Sequence, residues 1–497
     1  MQYVSTRSGE TVTVAEALLR GLAEDGGLYV PKEIPAPFVS YDAIRNFSYQ
    51  ETAVFVLRRF FTEIPEEKLT EFVRLAYEGT FSKEEIVPVV RVGEAFSVAE
   101  MFHGRTCAFK DLALSLFPYL LQWARAERKE SRRILILTAT SGDTGKAALE
   151  GFRDVDGMNI CVFYPSHGVS PLQKDQMQKQ AGENVCVCGI EGNFDDAQSA
   201  VKQIFSAAGA EKDADVVFSS ANSINIGRLF PQVVYYVWIW KELLRAGTIA
   251  EGDTFNIAVP TGNFGNILAA WYAKQIGVPI NRLICASNDN HILADFFETG
   301  VYDKNREFYL TESPSMDILI SSNFERFLYY MTGSREDVAA AMADLSAKGR
   351  YEVSAAAKAR IAADMLGGWA AGDAVRQAIA GVWESYDYLM DPHTAVAYAV
   401  YHRLRRLGKL PRGSHTVIAA TAHPYKFPPA MAKALGVAPA ENPYDTLRVI
   451  AAATGIAIPE KLSALEHAPV RFADVIPREN MSDYVAAYRA AIAAETK

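Results

Sequence analysis

Four short stretches of this 497-residue chain hold residue types that do chemistry. In HGRTCAFKD, His103 to Asp111, Lys110 follows Cys107, Ala108 and Phe109 and precedes the largely apolar run LALSLFPYLL. A lysine in such company is either a snorkelling surface side chain or an amine held in a pocket, where burial lowers its pKa and frees its lone pair. In PTGNFGN, Gly262 and Gly265 bracket Asn263 and Phe264 between the strand-like run TFNIAVP and the helical pattern ILAAWYAKQIG. Glycines there let successive N–H groups turn inward at a helix start, so the turn reads as a phosphate cup. In TSGDTG, Thr140, Ser141, Asp143 and Thr144 crowd hydroxyls and a glycine turn onto another helix start, which suits a smaller anion such as an amino acid's carboxylate. Simple N-capping by Ser141 or Asp143 competes with that reading. The fourth stretch, TAHPYKF, ends a strand-like run with Thr421 and then offers His423 and Lys426.

One lysine in an apolar setting, one phosphate cup and one carboxylate-sized loop together specify pyridoxal phosphate chemistry better than any of them alone. The amine forms a Schiff base and the cup holds the cofactor's phosphate. Nucleotide readings fail on spacing. A P-loop ending at Lys146 needs glycine at position 140 and Ser or Thr at 147, where the chain has Thr140 and Ala147. The turn at Gly262 lacks the third glycine of a dinucleotide fingerprint.

These stretches need strands that end at them and helices that begin from them. From about Arg132, short apolar runs alternate with helical patterns: RRILILTA, MNICVFYPS, NVCVCGI, ADVVFSS, TFNIAVP, NRLICAS and HTVIAAT. That alternation predicts parallel α/β layers around a cleft, with ligands at the carboxyl ends of the strands. Before it, TVAEALLRGLA opens with Thr13 and Glu16 spaced as a capping box, and the first 90 or so residues read as a mainly helical unit. Residues from about Asp337 to Glu384 are alanine-rich and read as a helical covering layer. The expected division is a mainly helical domain over 1–95, a small α/β domain over 131–209, and a large cofactor-binding domain from 96–130 with 210–497.

A net charge of −9 with no extended basic cluster argues against nucleic acid; HRLRRLGK, His402 to Lys409, alternates with leucine as a helix with one solvated face does. The start of the chain shows no secretory pattern, and VVYYVWIW, Val233 to Trp240, is too short to cross a bilayer. Five scattered cysteines do not form a disulfide framework, and Cys186 and Cys188 lack zinc-knuckle spacing, so the expected site is metal-free and the expected setting cytoplasmic.

Nine stretches resemble, in order and over nearly the whole chain, the threonine synthase family of fold type II pyridoxal phosphate enzymes. They are STRSGETVTVAEALLRGLAEDGGLYVP, FHGRTCAFKD, TATSGDTGKAA, GNFDDAQ, NSINIGRL, PTGNFGN, SPSMDILISSNFERF, DPHTAV and TAHPYKF. The resemblance implies conversion of O-phospho-L-homoserine and water to L-threonine and phosphate. It implies that Lys110 is the Schiff-base lysine and later the base that takes the α proton. Phe109 would help pack the cofactor, Gly262, Asn263, Phe264, Gly265 and Asn266 would hold its phosphate, and Thr421 would meet its ring nitrogen. Ser141, Gly142, Asp143 and Thr144 would bind the substrate carboxylate, Asp143 lying near the cofactor ring as well. Asn225, Arg228 and Lys426 are candidates for the substrate phosphate. Arg105, Lys146 and Tyr425 depart from the family pattern without removing a group the chemistry needs. The nearest rival is a phospholyase that releases 2-oxobutyrate and ammonia; a non-catalytic cofactor-binding protein is the rival of another class. Monomer and homodimer both stay open.

Overall fold

The computed structural model describes residues 1–140, 142–167, 169–192, 194–208 and 216–495. The alternating apolar runs form two sheets. The larger has six strands in the order Met365–Trp369, Ile280–Ser287, Phe255–Pro260, His415–Ala420, Phe96–Glu100 and Val89–Gly93. Its neighbours are parallel except for the last pair. The central strands Phe255–Pro260 and His415–Ala420 are buried at every residue, as unbroken apolar runs covered on both faces must be. The smaller sheet has five parallel strands: Val475–Pro477, Val185–Glu191, Met158–Pro165, Arg133–Ala139 and Val216–Ser219. Two of these, Val216–Ser219 and Val475–Pro477, lie outside the 131–209 segment expected for the small domain. Pairing with Arg133–Ala139 and Val185–Glu191 draws them in.

The N-terminal segment carries the expected capped helix, Val14–Arg20, with both bonds of the Thr13–Glu16 capping box formed. Helices Tyr49–Leu57 and Glu66–Tyr77 follow. It also holds a three-stranded antiparallel sheet of Tyr3–Ser5, Thr11–Val12 and Tyr29–Pro31 that the sequence reading missed. Strands of two or three residues carry no period to read. This unit shares a hydrophobic core with helix Pro231–Arg245, which is buried continuously from Pro231 to Leu243. The run VVYYVWIW is apolar on all sides because neighbours surround it.

The alanine-rich region, expected to be a helical covering layer, is not helical throughout. Met365–Trp369 is a parallel edge strand of the larger sheet, in register with Leu283–Ser287. Its sequence, MLGGW, sits between helices Ala355–Asp364 and Gly372–Tyr386 and has too few residues to announce a change of period. Among the described residues, no helix is long and apolar enough to cross a membrane, and no cluster of His, Cys, Asp and Glu could hold a metal ion. All five cysteines are buried and free.

Candidate active site

The stretch HGRTCAFKD forms a tight loop because its own ends meet. Asp111 accepts from the Thr106 amide at 2.8 Å and from the Thr106 hydroxyl at 2.7 Å. A Cβ at position 104 would come within 2.3 Å of the Asp111 carboxylate, which is why Gly104 stands there. Cys107 adopts a positive φ of 59°, an uncommon conformation for a side-chain-bearing residue, and turns the chain toward Thr421. The Phe109 amide then donates to the Thr421 carbonyl at 2.8 Å, and the His423 amide donates to the Cys107 carbonyl at 3.0 Å. This short antiparallel contact brings Lys110 and Thr421 onto the wall of one cavity of about 650 Å3.

Lys110 is 9 % exposed and has no ion pair among the described residues. Burial lowers its pKa to about 8, helped by Arg228 and Lys426 and opposed by Asp143 and Asp111. A substantial neutral fraction near physiological pH is what a nucleophilic or basic amine needs. Phe109 lies alongside, its ring centroid 5.4 Å from the Lys110 Nζ.

The turn after strand Phe255–Pro260 also lines the cavity, from Thr261 to Ile267. Phe264 sits in the left-handed region, φ 64°, and caps helix Gly265–Gln275. At Gly262 a Cβ would fall 2.4 Å from the Ser315 carbonyl, so only glycine fits. Tyr235 and Tyr236 both donate to Asn266 Oδ1, at 2.8 and 2.5 Å. Asn266 Nδ2 and Arg228 Nε are buried without a hydrogen-bond partner, and both residues line the cavity. Arg228 is 2 % exposed, faces no carboxylate, and burial pulls its pKa down to about 10. The unsatisfied Asn266 amide at a glycine turn that tolerates no side chain, with a buried amine on the same cavity wall, fits a phosphorylated aldehyde cofactor and leaves the Arg228 donor for a second anion.

The remaining expected residues divide. Thr140 and Thr144 line the cavity. Gly142, at φ 134°, permits the approach of Gln173, and Ser141 lies outside the described residues. The Thr140 hydroxyl takes up two amides at the helix start, accepting from Gly142 at 3.0 Å and Gly145 at 2.9 Å. Asp143 and Lys426 face each other away from the cavity wall at 2.6 Å, 3 % and 0 % exposed. Burial alone would raise the Asp143 carboxyl, but Lys426, with Lys110 behind it, holds it below the usual carboxylate range. The Lys426 ammonium also donates to the Thr106 carbonyl at 3.0 Å, so it braces the lysine loop. Asn225 spends its side chain on the Gly227 amide and the Leu18 carbonyl, at 2.9 and 2.8 Å. Of the three candidates for the substrate phosphate, only Arg228 is on the wall. Arg105 is exposed, Lys146 is held by Gln180 and Glu150, and Tyr425 donates to the Ile456 carbonyl at 2.6 Å.

Sequence reasoning missed His393, Ser315 and the cavity wall that Arg7 and Gly21 supply from the N-terminal unit. Asp391 followed by proline, the usual sign of a helix start, was the available signal for His393.

A lysine and a glycine cup at the carboxyl ends of parallel strands define a pyridoxal-phosphate dependent enzyme, and the family model of that description matches residues 92–375. Models for the threonine synthase N terminus and C-terminal region match residues 2–77 and 394–485. The chain belongs to the threonine synthase family, and pyridoxal phosphate is its cofactor. It is 38 % identical to the threonine synthase of Pseudomonas aeruginosa, over 88 % of this chain and 92 % of that protein. It is also 38 % identical to human threonine synthase-like 1, over 85 % of this chain and 58 % of that longer protein. The solved structure of pyridoxal phosphate-bound threonine synthase from Brucella melitensis superposes with a TM-score of 0.84 at 38 % identity, over 98 % of both chains. That of the yeast threonine synthase gives 0.87 at 31 % identity, over 99 % of both.

Proposed function

We propose that this chain converts O-phospho-L-homoserine and water to L-threonine and phosphate. The observation that supports this best is the cavity's charge: among the described residues, Lys110 and Arg228 line it with no carboxylate partner, the one acid on its wall, Glu325, is paired with Arg7, and Asp143 behind the wall is tied to Lys426. Such a cavity favours a dianionic phosphate ester over a neutral amino acid.

In this reading the Gly262–Asn266 turn and the Asn266 amide hold the cofactor phosphate, Phe109 packs against the ring, and the Thr421 hydroxyl meets the ring nitrogen. When bound, the cofactor supplies an electron sink for charge that develops at the substrate's α carbon. Lys110 is the group that moves protons. Its Nζ, neutral in substantial part near pH 8, accepts the α proton and later returns it. Thr140 and Thr144, the two residues of this turn on the cavity wall, receive the substrate carboxylate at the start of helix Asp143–Phe152; of the other residues expected there, Gly142 gives its N–H to Thr140 and Asp143 faces Lys426. Arg228 receives the substrate phosphate and stays with it as it leaves the γ carbon. Asp143 and Lys426 act from behind, fixing the lysine loop. The cell compartment that suits five free, buried thiols is the reducing cytoplasm.

The test is to incubate the protein with cofactor and O-phospho-L-homoserine and identify the carbon product by NMR. Threonine in step with phosphate is expected. Oxobutyrate and ammonia would make the protein a phospholyase, and no turnover would leave only cofactor binding.

A further inference from the structure

We propose that His393 is a positioning residue that clamps the segment 313–323 onto the Gly262–Asn266 turn and thereby sets the affinity for the cofactor's phosphate. The inference rests on the reading of that turn as the phosphate site.

His393 owes its state to a helix start. Asp391 caps helix Pro392–Arg406, and its Oδ1 accepts from the His393 amide at 2.9 Å and from His393 Nδ1 at 2.8 Å. Its other oxygen accepts from the Thr394 amide at 3.3 Å and from the Thr394 hydroxyl. Asp391 is 1 % and His393 2 % exposed. A carboxylate only accepts, so the ring's proton sits on Nδ1 and the neutral ring offers Nε2 as an acceptor. That acceptor meets the Ser315 amide at 3.2 Å.

Ser315 is the residue whose carbonyl presses on Gly262. Three further bonds from the same segment reach the turn. The Ser321 hydroxyl donates to the Gly262 carbonyl at 2.7 Å, and the Asn323 amide and side chain donate to the Asn263 carbonyl at 3.1 and 3.0 Å. Peptide units are planar, so holding the carbonyls of Gly262 and Asn263 also aims the N–H groups of Asn263 and Phe264 on the opposite edges of those planes. These are the donors of a phosphate cup. The segment is braced again at Asp317, which accepts from Asn288 Nδ2 and the Thr311 hydroxyl, each at 2.7 Å. Ser315, whose carbonyl meets Gly262, rests by its amide on His393.

The test titrates the full chain, freed of cofactor, with pyridoxal phosphate and separately with pyridoxal, which lacks the phosphate, following binding at Lys110 by absorbance. His393→Leu removes the acceptor. Ser315→Pro removes the donor from the other side, in the first turn of a 3-10 helix where that N–H has no helical partner. Each should raise the dissociation constant of pyridoxal phosphate about three- to tenfold, the scale of one neutral hydrogen bond, and leave that of pyridoxal nearly unchanged. The double variant should be no weaker than the worse single variant, and His393→Gln, which can still offer an oxygen to Ser315, should recover part of the loss. Equal weakening toward both compounds, or losses that add, would overturn the role of His393. A wild-type chain that binds both compounds equally would overturn the phosphate-cup reading itself. If His393→Leu does not fold, Ser315→Pro decides alone.

Discussion

Lys110 and Lys426 are both buried, both lie in turns beyond the larger sheet, and their turns touch. They differ in what faces them. Lys426 meets the Asp143 carboxylate at 2.6 Å, so its charge is compensated where it stands. Lys110 has no carboxylate in contact among the described residues; burial, aided by the fields of Arg228 and Lys426 and opposed by the more distant Asp143, loosens its proton. Burial alone therefore does not mark a reactive amine; the position of the nearest acid does. By placing Asp143 against one lysine, the fold braces the loop that carries the other.

Exchanging the lysines' roles is the severest challenge to this contrast. If Lys110 carries protons as proposed, Lys110→Ala should lower threonine formation about 10³-fold or more, while leaving the thermal midpoint unchanged or higher. Lys426→Met strands a buried carboxylate and should cost about 3–5 kcal/mol in urea unfolding. Lys110→Met should cost nothing in the same assay. Equal losses would erase the distinction.

Arg228→Met sharpens the comparison by removing a second uncompensated cation. It should raise the Michaelis constant for O-phospho-L-homoserine about 10- to 100-fold, as loss of charge-assisted hydrogen bonds would, without lowering stability. A pH dependence probes the same contrast through stability. The amine of Lys110 has a folded pKa of about 8 against an ordinary lysine value of 10.5, so across that window the unfolded chain binds the extra proton. Stability of the cofactor-free protein should rise through this window, with the penalty fully present below it, and Lys110→Met should lack that rise. Asp143 contributes in the opposite sense. Its carboxyl is held low, so its stabilisation is present at neutral pH and is lost on acidification below the ordinary carboxylate range.

The strands that end at the cavity were legible because each is an apolar run bounded by turn residues, and the glycine turn was legible because position 262 tolerates nothing larger. Lys110 was legible from its apolar company. The pairing of Asp143 with Lys426 was not, since nothing local to SGDTG or HPYKF says which distant charge will face it. For the same reason Lys426 read as a candidate for the substrate phosphate. His393 was hidden by ambiguity: Asp before Pro announces a helix cap, and the same oxygen that caps the helix also sets the ring. The edge strand Met365–Trp369 was hidden because its evidence is a partner strand, Ile280–Ser287, far away in sequence.

The strand Val475–Pro477 closes one edge of the smaller sheet against Gly189–Glu191, although nearly three hundred residues separate them. During synthesis, which runs at about 5–20 residues per second, the β-rich segment VCVCGI must wait many seconds for that neighbour. Until then its edge is an open template for pairing with other nascent chains. Slow translation or a stall between these two segments should thus favour capture by chaperones or aggregation, even though the lysine loop and glycine turn lie on the other sheet.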